Sequence, residues 1–278
     1  MSGRDTSFYY SFLVLPAEKR RAIVAVWDFC RAVDDAVDEA PEGQAADGGS
    51  SAAAQVATWR RELAACYGEG APSTVQGVHL APVIRRFGLP RDAFERVIEG
   101  VAMDLERSRY ETFDELREYC LRVASAVGLI CLEIFGYRNP RTRDYAVDLG
   151  IALQLTNIVR DIRTDLERGR VYVPRQDLAR FGCTDADLAA GLVNPSVRAL
   201  LAFECERARS YYERAERQLP ADDRRAMVAA RIMGAIYHAV LRRIERNGYD
   251  VFTAKVRVPR PERAAIAAGV WARAMLGL

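Results

Sequence analysis

The sequence predicts an all-α chain, one helical domain arranged around a central cavity, and three observations predict it. Apolar residues recur three and four positions apart along almost the whole length, the period of helices with one buried face. Segments containing Gly or Pro separate most of these runs. No stretch alternates apolar and polar residues as a half-buried strand does, and there is neither a fixed-period repeat nor a Gly-rich nucleotide loop.

The elements follow in order. Pro16 opens the first long helix at a position where a missing N–H is harmless. From Ala17, Ile23, Val26, Trp27, Cys30, Val33 and Val37 fall on one stripe, and the helix ends near Pro41. Residues 41–53, rich in Gly, Ser and Ala, read as a flexible surface loop. Helices are expected at about 52–68, 73–87, 91–108 and 114–136, the last closed by Gly136. A long helix over about 141–167 is stopped by Gly169, and Arg170 to Pro174 form an extended link. Short helices near 175–180 and 184–190 precede two long ones, about 196–218 and 222–247, opened near Pro195 and Pro220. A final helix, 262–278, follows Pro261.

Of 278 residues, 50% are hydrophobic and 28% charged, enough for a substantial core in a soluble protein. A net charge of +2 gives no compositional support for nucleic-acid binding. Lys19 and Lys255 are the only lysines; the remaining bases are arginines, whose forked donors suit phosphate, although genomic base composition explains the bias equally well. The six cysteines show no C-x-x-C pairing and read as free buried thiols in a reducing compartment. The N-terminus has no signal-peptide core, and no run approaches the ~20 apolar residues of a membrane span. The apolar stretch from Ala264 is short and broken by Arg273, so a transient contact with a membrane surface is the most it implies. A cytoplasmic protein, at most peripheral at the inner membrane, is the expectation.

Two acidic clusters carry the chemistry. In the first, Arg31, Asp34, Asp35 and Asp38 share one helix face by the i, i+3, i+4, i+7 rule. Like charges four apart weaken an isolated helix by roughly 0.2–0.5 kcal/mol per pair, and acids at a helix C-terminus also oppose its dipole. A hard divalent cation would offset both, with Asp34 and Asp38 as ligands and Arg31 orienting a carboxylate or gripping phosphate. In the second, Gln154, Asn157, Asp161 and Asp165 form a polar line among Leu153, Leu155, Ile158 and Ile162. Amide oxygens beside carboxylates in an apolar helix fit the same kind of ion, while an interhelical hydrogen-bond network is the plainer reading. Arg160, Arg168 and Arg170 lie close enough to meet phosphate. His79 and His238 fit no nucleophile or zinc pattern. Tyr119 heads a segment whose Ala124, Ala126 and Gly128 either make room for a long apolar ligand or let helices pack closely.

Three long motifs, SFYYSFLVLPAEKRRAI with FCRAVDDAVDE, MDLERSRYETFDELREYCLRVASAVG, and LQLTNIVRDIRTDLERGRVYVP, resemble the squalene/phytoene synthase family. The similarity runs from about Ser7 to Pro259. Within that family the opening and the closing MGAIYHAVLRRIERNGYDVFTAKVRVPRP look most like bacterial presqualene diphosphate synthases of hopanoid pathways. The resemblance implies an isoprenoid-synthase helical fold, Mg²⁺ with Mn²⁺ as a substitute, no NADPH, and two farnesyl diphosphates joined head to head. It implies downstream hopanoid or squalene enzymes as partners. By position it makes Asp34, Asp38, Asp161 and Asp165 the catalytic metal ligands, with Asn157 beside them and Gln154 next to the substrate. Ser7, Arg31 and Arg160 fall at diphosphate-contacting positions, Tyr119 at an active-site tyrosine, and Tyr249 at a C-terminal tyrosine near diphosphate. Many relatives carry an acid where this chain has Thr164. The closest alternatives are squalene, dehydrosqualene and phytoene synthases; a noncatalytic helical scaffold presenting acidic faces to a partner is the alternative of a different class.

Overall fold

Thirteen α-helices make up almost all the regular structure of the described residues, 6–38 and 52–276 of a computed structural model. For residues 6–9 and for Val37, Asp38 and Ala52, only the helical backbone is described. In chain order they are α1 (Thr6–Leu13), α2 (Ala17–Asp38), α3 (Ala52–Cys66), α4 (Val75–Phe87), α5 (Arg91–Glu106), α6 (Phe113–Cys120) and α7 (Ala126–Phe135). Then come α8 (Thr142–Glu167), α9 (Arg175–Arg180), α10 (Asp185–Ala189), α11 (Pro195–Gln218), α12 (Val228–Arg246) and α13 (Arg260–Met275). The all-α expectation holds. The loop expected over 41–53 lies outside the described residues except for its last two positions, which open α3.

Three departures from the predicted elements have local causes. The short apolar run of α1, which periodicity over a longer window does not register, packs on α12 and α13. The helix expected over 114–136 is continuous, but a π-turn at Leu121–Ser125 divides it into α6 and α7. Neighbouring helices press close there. A Cβ on Gly100 of α5 would lie 2.7 Å from Val123, and one on Gly150 of α8 would lie 2.6 Å from the Ser125 Cα. The helix expected from 222 begins only at Val228, because Asp223 is committed elsewhere. Its buried carboxylate accepts from the Arg138 and Asn139 amides, each at 2.9 Å, and from the Thr142 hydroxyl, clamping the turn that leads into α8.

The core lies on both sides of α8. Phe29, Phe94 and Trp59 meet edge to face among α2, α3 and α5, with ring centroids 5.4–5.8 Å apart. On the other side, α8 lies along α11 and touches α12. Gly128 serves close packing here: a Cβ on it would meet the Ala146 carbonyl at 3.0 Å.

Each acidic segment lies toward the C-terminal end of its helix. The Lys19 ammonium donates to the Phe135 carbonyl, tying the start of α2 to the end of α7. A short link then leads into α8, so α2 and α8 start at the same end of the molecule. At 1.5 Å per residue, Asp34 stands about 22 Å along α2 from Lys19, and Asp161 about 28 Å along α8 from Thr142.

Candidate active site

On α8, Leu155, Ile158, Val159 and Ile162 are buried, which leaves Gln154, Asn157, Asp161 and Asp165 along a half-buried edge. The Asn157 amide nitrogen approaches the Gln154 carbonyl oxygen at 3.5 Å, while the buried Asn157 Oδ1 has no hydrogen-bond partner among the described residues. Asp161 receives Arg160 Nε and the Lys255 ammonium, both at 2.9 Å on Oδ1, and the Arg160 Nη2 on Oδ2. Burial raises the Asp161 carboxyl, but these two cations outweigh it and hold the group below its ordinary range. Asp165 has the opposite balance. Burial first, then the charge of Asp161, pushes it up to about 7, with Arg168 and Arg170 pulling the other way and Asp104 adding to the rise.

Asp104, near the end of α5, joins this group. Its two carboxylate oxygens accept separately from phenols, Oδ2 from Tyr119 at 2.9 Å and Oδ1 from Tyr172 at 2.8 Å. The Tyr119 and Tyr172 rings stack at 5.2 Å, and Tyr110 stacks on Tyr172 at 5.9 Å. The pairing is set by backbone. The Val171 amide donates to the Ser108 carbonyl and the Arg175 amide to Tyr110, each at 2.9 Å, so the extended link lies beside residues 108–111. Burial, then the charge of Asp104, raises the Tyr119 phenol well above its ordinary value, so it stays protonated.

The remaining predicted residues are dispersed. Arg31 stands 3.9 Å from Asp34 and 6.0 Å from the Trp27 ring centre, contacts that run along α2 itself. Side chains of Ser7 and Asp38 are outside the described residues. Tyr249 takes a left-handed backbone (φ 66°) after α12, and its charged neighbours are Glu245, Arg209 and Arg198, which belong to neither acidic cluster. Tyr237 of α12 is the tyrosine that meets the α8 line, its ring centre 6.0 Å from the Arg160 guanidinium. A cleft of about 860 Å³ between Pro16, Lys19, Phe135, Asp223 and Trp271 has none of the predicted site residues in its lining. Against Asp165 a crevice of about 10 Å³ has room for one water.

Sequence reasoning missed Asp104, Tyr172, Tyr237 and Lys255. Lys255 carried a readable signal, being one of two lysines in an arginine-rich chain. The others are single residues inside apolar helical or extended patterns and carried none.

Among the described residues, no three His, Cys, Asp or Glu side chains converge on one point. The α8 donors nevertheless suit a hard cation: an orphaned buried amide oxygen, a carboxylate made costly by burial, and a second carboxylate already neutralised by cations. By donor chemistry Asn157, Asp161 and Asp165 suit a hard divalent cation such as Mg²⁺ or Mn²⁺.

The family model described as squalene/phytoene synthase matches residues 1–262. The chain belongs to the squalene/phytoene synthase family. As a member, it is 37% identical over 282 residues to the 15-cis-phytoene synthase of Synechocystis sp., covering 97% of this chain and 82% of that one. Among solved structures, a ligand-bound dehydrosqualene synthase superposes with a TM-score of 0.85 at 27% identity, covering 98% and 93% of the two chains. Squalene synthase HpnC from Alicyclobacillus acidocaldarius does so with a TM-score of 0.76 at 30% identity, covering 89% and 90%. The squalene/phytoene synthase helical fold, a prenyltransferase-type enzyme and prenyl diphosphate substrates follow from that membership. No described helix is long and apolar enough to cross a membrane.

Proposed function

We propose that this enzyme joins two C20 prenyl diphosphates, geranylgeranyl diphosphates, head to head to make phytoene. The observation that carries the reaction class is the α8 line, where the unpaired Asn157 Oδ1 and the charge-strained Asp165 flank a neutralised Asp161. The 37% identity to a phytoene synthase supports the C20 chain length, ahead of the C15 reading favoured by the sequence motifs.

Bound Mg²⁺ supplies neutralisation of the charge that develops on a departing diphosphate. Asn157, Asp161 and Asp165 would hold it from α8, and Asp34 and Asp38 from α2. Arg31, Arg160 and Lys255 donate to diphosphate oxygens, and Gln154 fixes the Asn157 amide. Lys255 and Arg160 already sit on Asp161, so an arriving diphosphate finds two cations at the carboxylate edge. When the C–O bond of one substrate breaks, its electrons leave with diphosphate and an allylic cation remains. The double bond of the second substrate attacks, and loss of a proton closes a cyclopropane. Departure of the second diphosphate, rearrangement and a further proton loss complete the C40 product. The Tyr119 oxygen faces the cation, while the apolar side chains Ile158, Ile162 and Leu116 keep water away. In place of the C-terminal tyrosine expected at Tyr249, we assign the diphosphate-side tyrosine to Tyr237, which stands over Arg160. Ser7 remains a proposed diphosphate contact from α1.

A second reading, presqualene diphosphate from two farnesyl diphosphates, is favoured by the structural likeness to HpnC and to a dehydrosqualene synthase. Purified protein incubated with Mg²⁺ and either the C15 or the C20 diphosphate, with and without NADPH, separates the two when lipid products are identified by mass. Phytoene from the C20 substrate without NADPH is expected. A C15-derived cyclopropyl diphosphate with no C20 turnover replaces the first reading with the second, and no diphosphate release from either substrate refutes both.

A further inference from the structure

We infer that Asp104 is a positioning residue that fixes the polarity of the Tyr119–Tyr172 pair, so that both phenol oxygens offer only lone pairs to the reacting carbocation. The inference rests on the proposed prenyl-coupling reaction and adds to it a residue that touches neither metal nor diphosphate in this arrangement.

A phenol has one proton. Tyr119 points its proton at Asp104 Oδ2, 2.9 Å away, and Tyr172 points its own at Oδ1, 2.8 Å away. The two phenol oxygens also approach each other at 3.4 Å, a longer contact that cannot use a proton already directed at the carboxylate. Both rings are buried, Tyr119 with 5% and Tyr172 with 8% of its surface exposed, so solvent does not compete for the arrangement. Each oxygen keeps its remaining lone pairs for a third direction. A phenol oxygen whose proton is held by a carboxylate carries more negative charge than a free phenol, which stabilises a cation close by in a water-poor site. Without the carboxylate, one of the two tyrosines would be free to turn its proton toward the substrate, placing a positive edge against a positive carbon.

The position also favours this role over metal binding. Both carboxylate oxygens of Asp104 receive short phenol bonds, and a cation drawn to them would have to break these bonds. The segment pairing of 108–111 with the extended link after α8 places Tyr172 from the main chain, so that residue does not depend on Asp104 for its place.

The test compares wild-type chain with Asp104→Asn, Tyr119→Phe, Tyr172→Phe and the Asp104→Asn/Tyr119→Phe double variant. Each is assayed with Mg²⁺ and the prenyl diphosphate that the wild type turns over, reading kcat and KM separately and collecting prenyl alcohols. Asparagine keeps the shape but offers one donor where the carboxylate had only acceptors. Its expected effect is a fall in kcat of about 10²-fold with KM and the Mg²⁺ requirement changed less than about threefold, by analogy with loss of one preorganised electrostatic contact. Prenyl alcohol from water capture should rise as a share of product. The double variant should fall by less than the product of the two single effects, because both changes break the Asp104–Tyr119 bond. Unchanged kcat in Asp104→Asn, or a Mg²⁺ requirement that rises in step with the loss, overturns the inference. If Asp104→Asn does not fold, Tyr119→Phe and Tyr172→Phe decide it: each must raise the alcohol share, and failure of either to do so overturns it. A wild type that releases no diphosphate from any prenyl substrate overturns the proposed function along with it; an active wild type matched by Asp104→Asn overturns this inference only.

Discussion

Asp165→Asn should stabilise the metal-free protein while removing its response to metal and substrate. The carboxyl of Asp165 is pushed from an ordinary value near 3.8 up to about 7 by burial and by the neighbouring Asp161 charge. The native chain therefore keeps this proton up to about pH 7, whereas the unfolded chain releases it near pH 4. Between those limits the native state binds more protons, so through this group stability falls as pH rises. A shift of about three pH units corresponds to at most about 4 kcal/mol at pH 8, and about 2 kcal/mol once residual solvent screening is allowed for. Asparagine carries no charge to strand. Thermal unfolding of wild type and variant from pH 5 to pH 8.5, without metal, should show the variant's advantage growing across that range and levelling above pH 8. Adding Mg²⁺ with a nonhydrolysable prenyl diphosphate analogue should raise the wild-type midpoint and leave the variant's nearly unmoved. Equal midpoints at pH 8, or an advantage that shrinks with rising pH, would refute the charge-strain argument. Such a trade of stability for function is common where an active site stores repulsion.

Three further outcomes follow from the same geometry. Asp34→Ala and Asp161→Ala should each abolish turnover while circular dichroism shows helical content largely intact; near-normal activity in both would count against the site. Gly150→Ala should lower stability by about 1–3 kcal/mol in urea unfolding despite the better helix propensity of alanine, because the new Cβ meets the Ser125 backbone at 2.6–2.7 Å. Asp223→Ala should cost about 1–3 kcal/mol at pH 7, since it unpairs two part-buried amides and a buried hydroxyl. Burial raises the Asp223 carboxyl, but those hydrogen bonds outweigh it and leave it depressed. Its contribution is therefore present above about pH 4 and lost as pH falls through the depressed value, so the wild-type advantage measured at pH 7 should shrink toward pH 3.

Much of the helical framework was legible because helices are local. The expected 141–167 segment became Thr142–Glu167, and 196–218 became Pro195–Gln218, each bounded by nearby proline or glycine and a periodic apolar face. The α8 donor line was legible for the same reason, since residues four apart on one helix need no tertiary information to share a face. Elements failed where packing intervened. The π-turn before α7 comes from helices approaching through Gly100 and Gly150, and the late start of α12 comes from Asp223 capping a segment more than eighty residues away.

Chain order alone was enough for the helices, the acidic runs and the family they signify, because all of these repeat within a few turns. Only packing could set Lys255 on Asp161, Tyr237 over Arg160 and two phenols on Asp104. These partners are separated by between 15 and 94 positions, as for Tyr119 from Asp104 and Lys255 from Asp161. Contacts of that kind form when whole helices dock, and no spacing rule reports which faces will meet.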